Sequence, residues 1–243
     1  MLPMKPCPLT TPLVEVAIHT ILYVRQVYPA DVFVRRKKYN TPVFQSRHPG
    51  LNDYISGAVK AVTDELALGN VDKVILVIKN KEEIALERFI FAVRNMIEVE
   101  PFNKETSVED AMTASTLGLY FRSFLTKLSL IEAQLGDYPL PGMSLVACGP
   151  YASLLRLLDD LSFAIVLELK DDKAPAVSKG KDPPPWVPAT TLHTTAGASD
   201  EAELHLLRAV DTGIISLSLA VQESEQKLEI EKKKLTKGKE KAT

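Results

Sequence analysis

Lys73-Val-Ile-Leu-Val-Ile78 and Ile84-Ala-Leu-Glu-Arg-Phe-Ile-Phe-Ala-Val93 flank the polar stretch Lys79-Asn-Lys-Glu-Glu83. Two runs rich in β-branched and aromatic residues, joined by a short charged linker, read as an antiparallel hairpin. The first run is continuously apolar, which predicts a central strand covered on both faces. The segments around this hairpin carry helical signals. Upstream, Thr11 supplies an N-cap and Pro12 suits the first helical position, where its missing N–H would be unpaired anyway. From Leu13 to Tyr28 nearly every residue is apolar, with Glu15, His19 and Gln26 on one narrow polar stripe. Such a helix is buried on most of its surface and ends before Pro29. His19, on the polar stripe, is expected to be solvated or capped.

A second helix is expected from about Asn52 to Leu68, after the turn His48-Pro49-Gly50 and before Gly69-Asn70. Thr106-Ser-Val-Glu109 forms a capping box, in which hydroxyl and carboxylate each satisfy a free backbone N–H. Behind it Leu117, Phe121, Phe124, Leu128 and Ile131 recur at helical spacing, the apolar stripe of a long helix lying on a sheet. Pro139-Leu-Pro-Gly142 then turns into an expected short strand, Ser144-Leu-Val-Ala-Cys148.

After Pro150 the character changes. The apolar stretch Leu161 to Leu169 runs into a Lys-, Asp- and Pro-rich stretch ending at Pro185, with the composition of a mobile loop. The lone tryptophan, Trp186, has no core of its own there, so it must dock back on the domain or help close over a partner. Late in the chain Ile215, Leu217, Leu219 and Val221 alternate with Ser216, Ser218 and Ala220, the period-two signature of a half-buried strand. The sum is an α+β layout, helices stacked on an antiparallel sheet. Its expected divisions are an irregular start (1–12), a core (13–149), a loosely packed segment (150–224, with a disordered loop near 171–185) and a charged, disordered tail (225–243).

The 243 residues are 46% apolar and 25% charged, with a formal net charge of -2. That balance suits a soluble globular protein and predicts neither general nucleic-acid binding nor membrane attraction. No apolar run approaches the ~18 residues of a membrane span. The proline-broken start, Met1 to Pro8, does not read as a signal peptide. Cys7 and Cys148 form neither a disulfide framework nor a ligand spacing, which favours a reducing nuclear or cytosolic compartment. No phosphate-binding glycine loop and no Gly-x-Ser-x-Gly elbow occurs. His19, His48, His193 and His205 lack ligand partners at helical spacing, and the adjacent pairs Asp159-Asp160 and Asp171-Asp172 point apart. No catalytic residue, metal or cofactor is therefore expected. Arg35-Arg36-Lys37-Lys38, without interleaved aromatics, reads as a solvated face.

Three segments, Val14-Glu-Val-Ala-Ile-His-Thr-Ile-Leu-Tyr-Val-Arg-Gln-Val-Tyr-Pro29, Phe33-Val-Arg-Arg-Lys-Lys-Tyr-Asn40 and His48-Pro-Gly-Leu-Asn-Asp-Tyr-Ile55, resemble the HORMA-domain family. Within that family they look most like the accessory subunits of translesion DNA polymerase zeta. The likeness is dense over residues 13–93, continues through Arg122-Ser-Phe-Leu-Thr-Lys127, and thins after 150. It implies three helices on an antiparallel sheet, with a C-terminal safety belt that wraps a partner's peptide. It further implies that Tyr54 and Trp186 line the pocket for the polymerase's catalytic subunit. Leu204 and the strand around Ser218, Leu219 and Ala220 would dock a Y-family scaffold polymerase. Arg122 would serve HORMA–HORMA dimerisation. Two departures stand out: Pro3, Pro6, Pro8 and Pro12 forbid the family's longer first helix, and Ala220 stands where an aromatic is frequent.

Overall fold

The computed structural model describes residues 10–95, 114–135, 161–171, 173–175, 186–211, 215–229 and 232. Helix α1 (Thr10–Val24) starts slightly ahead of the expected cap and stops well short of Pro29. A left-handed residue ends it. Gln26 has φ 51°, its N–H donates to the Tyr23 carbonyl, and the Val27 N–H donates to the Leu22 carbonyl, both at 3.0 Å. Those two bonds make a Schellman closure without glycine, so backbone capping ends the helix before proline does. Leu13, Val14, Ala17, Ile18, Ile21 and Leu22 of α1 are all buried.

Strands β1 (Phe33–Lys38) and β2 (Thr41–Ser46) form a two-stranded hairpin that the sequence reading did not anticipate. Its turn is Tyr39-Asn40, with φ of 48° and 57°, the two-residue geometry that matches strand twist. Arg35 to Lys38 are exposed on it. Helix α2 (Pro49–Ala67) begins earlier than expected because His48 is its cap: the Leu51 N–H donates to His48 Nδ1 at 3.2 Å, and Pro49 follows in the first turn. Gly69, at φ 72°, supplies the left-handed residue after α2.

The main sheet joins β3 (Val71–Lys79), β4 (Ala85–Asn95), β5 (Ser162–Leu169), β6 (Glu203–Asp211) and β7 (Ile215–Glu223) in the order β5-β3-β4-β7-β6, every pair antiparallel. The expected β3–β4 hairpin is present. Val74, Leu76 and Ile78 join the main core, whereas Ile75 and Val77 join a second cluster on the opposite side. Helix α3 (Ala114–Ser129) buries Leu117, Phe121, Phe124 and Leu128, with Ile131 buried just beyond it. Short helix α4 (Glu132–Leu135) follows. Helix α1 packs against α2, α3 and β2. Three long helices on an antiparallel sheet make this an α+β fold. The capping box at Thr106, the strand expected over 144–148 and Asp159-Asp160 lie outside the described residues.

Two polar features depart from expectation. His19 is buried rather than solvated. The Ser46 N–H approaches its Nδ1 at 3.5 Å, and burial lowers the imidazole pKa from 6.5 to about 4. The second feature lies where a disordered tail or a frayed helix was expected: residues 225–229 are helical, and Lys227, rather than being solvated, is 0% exposed. Its ammonium reaches Glu87 Oε1 at 2.8 Å, pairs with Glu223, and donates to the Leu135 carbonyl at 3.1 Å. Glu87, also 0% exposed, accepts two bonds from the Arg25 guanidinium, at 3.0 Å from Nε and 2.6 Å from Nη2. Burial alone would lower the Lys227 pKa, but the field of Glu87 and the bonds to Glu223 and Glu87 outweigh it and raise the pKa above its ordinary value.

Both features are testable by unfolding. The folded state disfavours protonated His19, so its contribution is complete above pH 6.5 and is lost as pH falls toward 4; that loss amounts to roughly 3 kcal/mol. Urea unfolding of His19→Gln should therefore show a shallower decline than wild type across this window, and equal slopes would contradict the assignment. Lys227→Ala should cost about 3 kcal/mol, because it strips a partner from buried carboxylates. The exposed control Lys60→Ala should change stability by less than about 0.5 kcal/mol.

Candidate functional site

Among the described residues, strand β5 (SFAIVLEL) is at one end of the sheet and pairs only with β3. Although it is almost wholly apolar, only Val166 in it is fully buried. A partly open apolar edge, with a row of backbone groups directed away from β3, is a template for adding another strand. Phe163, Ile165, Leu167 and Leu169 lie against the margin of the main core.

Aromatic side chains gather around the start of this edge. Phe163 meets the Tyr54 ring edge-on, with centroids 5.6 Å apart at 72°, and the Tyr28 ring at 6.2 Å and 85°. Tyr54 stands half-exposed on α2. Burial raises the pKa of both phenols, and for Tyr28 the charge of Tyr54 adds to that effect. Trp186 packs, partly buried, against the main core. The fold thus gathers Tyr54, Phe163 and Tyr28. Sequence reading passed over the last two: Phe163 was hidden in a plain apolar run, and Tyr28 was taken as the end of a helix.

The connection from β5 to β6 is tethered at both ends of β3. At the start of β3, the Lys170 N–H donates to the Asn70 carbonyl at 2.8 Å. At the other end, Arg88 Nη2 donates to the Leu192 carbonyl at 2.6 Å, and His193 Nε2 lies 3.1 Å from the Glu83 carbonyl in the β3–β4 turn. Arg88 is buried, and burial lowers its pKa. Because β5 pairs along β3 from Val71↔Leu169 to Lys79↔Ser162, these described contacts lie near opposite ends of β3, and β6 lies at the far side of the sheet. Gly197 is obligatory on this route, since a Cβ there would lie 1.7 Å from the Thr191 carbonyl oxygen.

At the opposite edge, Leu204 and Leu206 of β6 are 62% and 66% exposed. They stand opposite Gln222 and Ala220 of β7, with Ser218 next along the same side. Leu219 does not belong to this surface. Alternation turns it to the other side of β7, where it is 1% exposed within the main core. Leu206 takes its place as an exposed apolar residue, and its spacing of two from Leu204 was the available signal. Arg122 is exposed on α3, beside Arg208 of β6.

Among the described residues, one group approaches metal-ligand geometry: Glu203, His205 and Glu223. His205 Nε2 is 2.9 Å from Glu223 Oε2 and 3.7 Å from Glu203 Oε2. Lys227 already supplies positive charge to Glu223, and the trio reads as part of that ion network.

Comparison with known proteins fits this geometry. The HORMA domain matches residues 8–129, ending before β5. A zebrafish protein (Danio rerio) named mitotic spindle assembly checkpoint protein MAD2B is 31% identical over 216 residues, 88% of each chain. The chicken (Gallus gallus) protein of that name is 41% identical over 128 residues, 53% of this chain and 57% of that protein. The DNA polymerase zeta processivity subunit of Schizosaccharomyces pombe is 40% identical over 115 residues, 46% of this chain and 54% of that protein. These last two alignments thus span little more than half of the relatives' length. Among solved structures, a chain of a mitotic checkpoint complex superposes with TM-score 0.63 at 18% identity, covering 89% of this chain and 97% of that one. Caenorhabditis elegans HTP-2 bound to the HIM-3 closure motif gives TM-score 0.60 at 12% identity, over 88% of each chain. The protein described here belongs to the HORMA-domain family.

Proposed function

We propose that the chain is a non-catalytic adaptor subunit of DNA polymerase zeta, acting in the nucleus in translesion synthesis and DNA damage tolerance. The observation that carries this reading is the β5 edge, which has no second strand among the described residues and is bordered by Phe163 and Tyr54. An extended segment of the catalytic subunit would add to β5 as a further strand. Backbone pairing would supply affinity, and apolar anchors would sit against the aromatic cluster. The connection would close outside it as a safety belt, held by Arg88 on the Leu192 carbonyl. The strip of Leu204, Leu206, Ser218 and Ala220 would face the Y-family scaffold polymerase, so that one small domain links two enzymes. The names of the fission-yeast and Arabidopsis thaliana relatives as polymerase zeta processivity subunits support this choice of partner.

A spindle-checkpoint role is the second reading, favoured by the MAD2B names and the likeness to a chain of the mitotic checkpoint complex. It requires spindle-assembly partners and kinetochore localisation.

Calorimetric titration with peptides tiled across the catalytic subunit of polymerase zeta from the same organism separates the two. One proline-containing peptide should bind tightly, and Tyr54→Ala and Trp186→Ala should each weaken it by about tenfold or more. Binding that survives both substitutions would move the site away from β5. Absence of binding to every tile would favour the checkpoint reading.

A further inference from the structure

Glu203 and His205 stand two apart on β6, so alternation puts their side chains on one face of the strand. Glu223 of β7 is directly opposite Glu203 in the antiparallel register. Two carboxylates in that position share a face and repel each other. Lys227 answers only one of them. A lysine ammonium has three donors, and that of Lys227 is directed at Glu223 Oε1, Glu87 Oε1 and the Leu135 carbonyl. Among the described residues Glu203 meets no lysine or arginine, and its Oε2 instead faces the His205 ring, 3.7 Å from Nε2.

Glu223 Oε2, the oxygen not held by Lys227, lies 2.9 Å from the same ring nitrogen. All three ligand atoms are within 4.8 Å of one another. Zinc bonds of about 2.0–2.2 Å at the tetrahedral angle hold neighbouring ligand atoms about 3.4 Å apart. The measured separations, 2.9 and 3.7 Å, fall on either side of that value. Glu223 is buried and fixed through its other oxygen, the kind of support that orients a metal ligand. The Glu203 side chain is 61% exposed and free to close on an ion.

We propose that Glu203, His205 and Glu223 bind one divalent transition-metal ion of the zinc class. The imidazole selects against Mg2+ and Ca2+, which take oxygen ligands. Three protein ligands leave a fourth position for water. A proton on His205 is the competing occupant, because a ligating imidazole must be neutral. The bound ion ties the residues on either side of Leu204 to the end of β7, and so fixes the start of the strand that carries Leu204 and Leu206. Its ligands are spaced by two on a strand rather than by four on a helix, so helical spacing gave no sign of them.

The test is calorimetric titration of the chelator-treated full chain with ZnCl2, with MgCl2 and CaCl2 as controls. Zinc should bind at one ion per chain, and neither control should bind comparably. Glu203→Gln and His205→Ala should each weaken zinc uptake by at least about tenfold. Zinc should also slow amide exchange over residues 203–206 in wild type and not in the variants. Glu203 is exposed, so the metal-free Glu203→Gln chain should unfold at the wild-type temperature, which separates loss of a ligand from loss of the fold. Uptake that both variants retain would mean an adventitious ion only, held elsewhere in the chain, Cys7 and Cys148 included, and would overturn the proposal. Absence of uptake by wild type, or Mg2+ binding as tightly as Zn2+, would overturn it equally.

Discussion

Glu87 is the point on which the sheet, the helices and the chain terminus converge. Its carboxylate is wholly buried, and it takes two bonds from Arg25 at the end of α1 and a third contact from Lys227 beyond β7. A lone buried carboxylate would be costly, and so would either cation without it. The three charges are compatible with burial only together, joined by Glu223 and, through it, by His205 on β6. The network therefore links the end of α1 to the last hairpin of the sheet. Among the described residues, β5 is the edge at the other side.

A sheet edge left open among the described residues offers a template for an extended partner. Among the described residues, the outer side of β5 has no partner strand, and Phe163, Tyr54 and Tyr28 set an aromatic boundary at one end. The described parts of the connection leading to β6 make contacts at Asn70, Glu83 and Arg88. Recognition on such an edge is divided between backbone, which is indifferent to sequence, and side-chain contacts, which are not.

Much of this architecture was legible in the residues, and the failures have physical reasons. The stripe of α3 and the alternation of β7 were readable because each pairs a regular period with a one-sided environment, and the β3–β4 hairpin because two apolar, β-branched runs flank a short charged linker. Strand β1 was not, since Arg35 to Lys38 carry no β signal and only the left-handed Tyr39-Asn40 turn betrays the hairpin. Strand β5 lacked alternation because its apolar residues occupy both sides. Strand β6 has an irregularity between Leu206 and Arg208 that breaks its period. Leu219 was grouped with Ser218 and Ala220 by family likeness, although strand alternation already separated them. The ion network was invisible because its members, at 25, 87, 223 and 227, are neighbours only after folding. His19 was misjudged because it alone of its polar stripe is buried, against Ser46 of β2, while Gln26 is exposed.

The central claim is that β5 is completed by an added strand beneath the connection to β6. Amide hydrogen exchange across residues 162–169, with and without a bound polymerase peptide, tests it most directly. In the free protein, alternate amides directed away from β3 should exchange rapidly while their neighbours are protected. Peptide should slow those outward amides by about a hundredfold or more and should also protect the segment 186–197. Protection confined to β6, with the outward amides of β5 unchanged, would contradict the account.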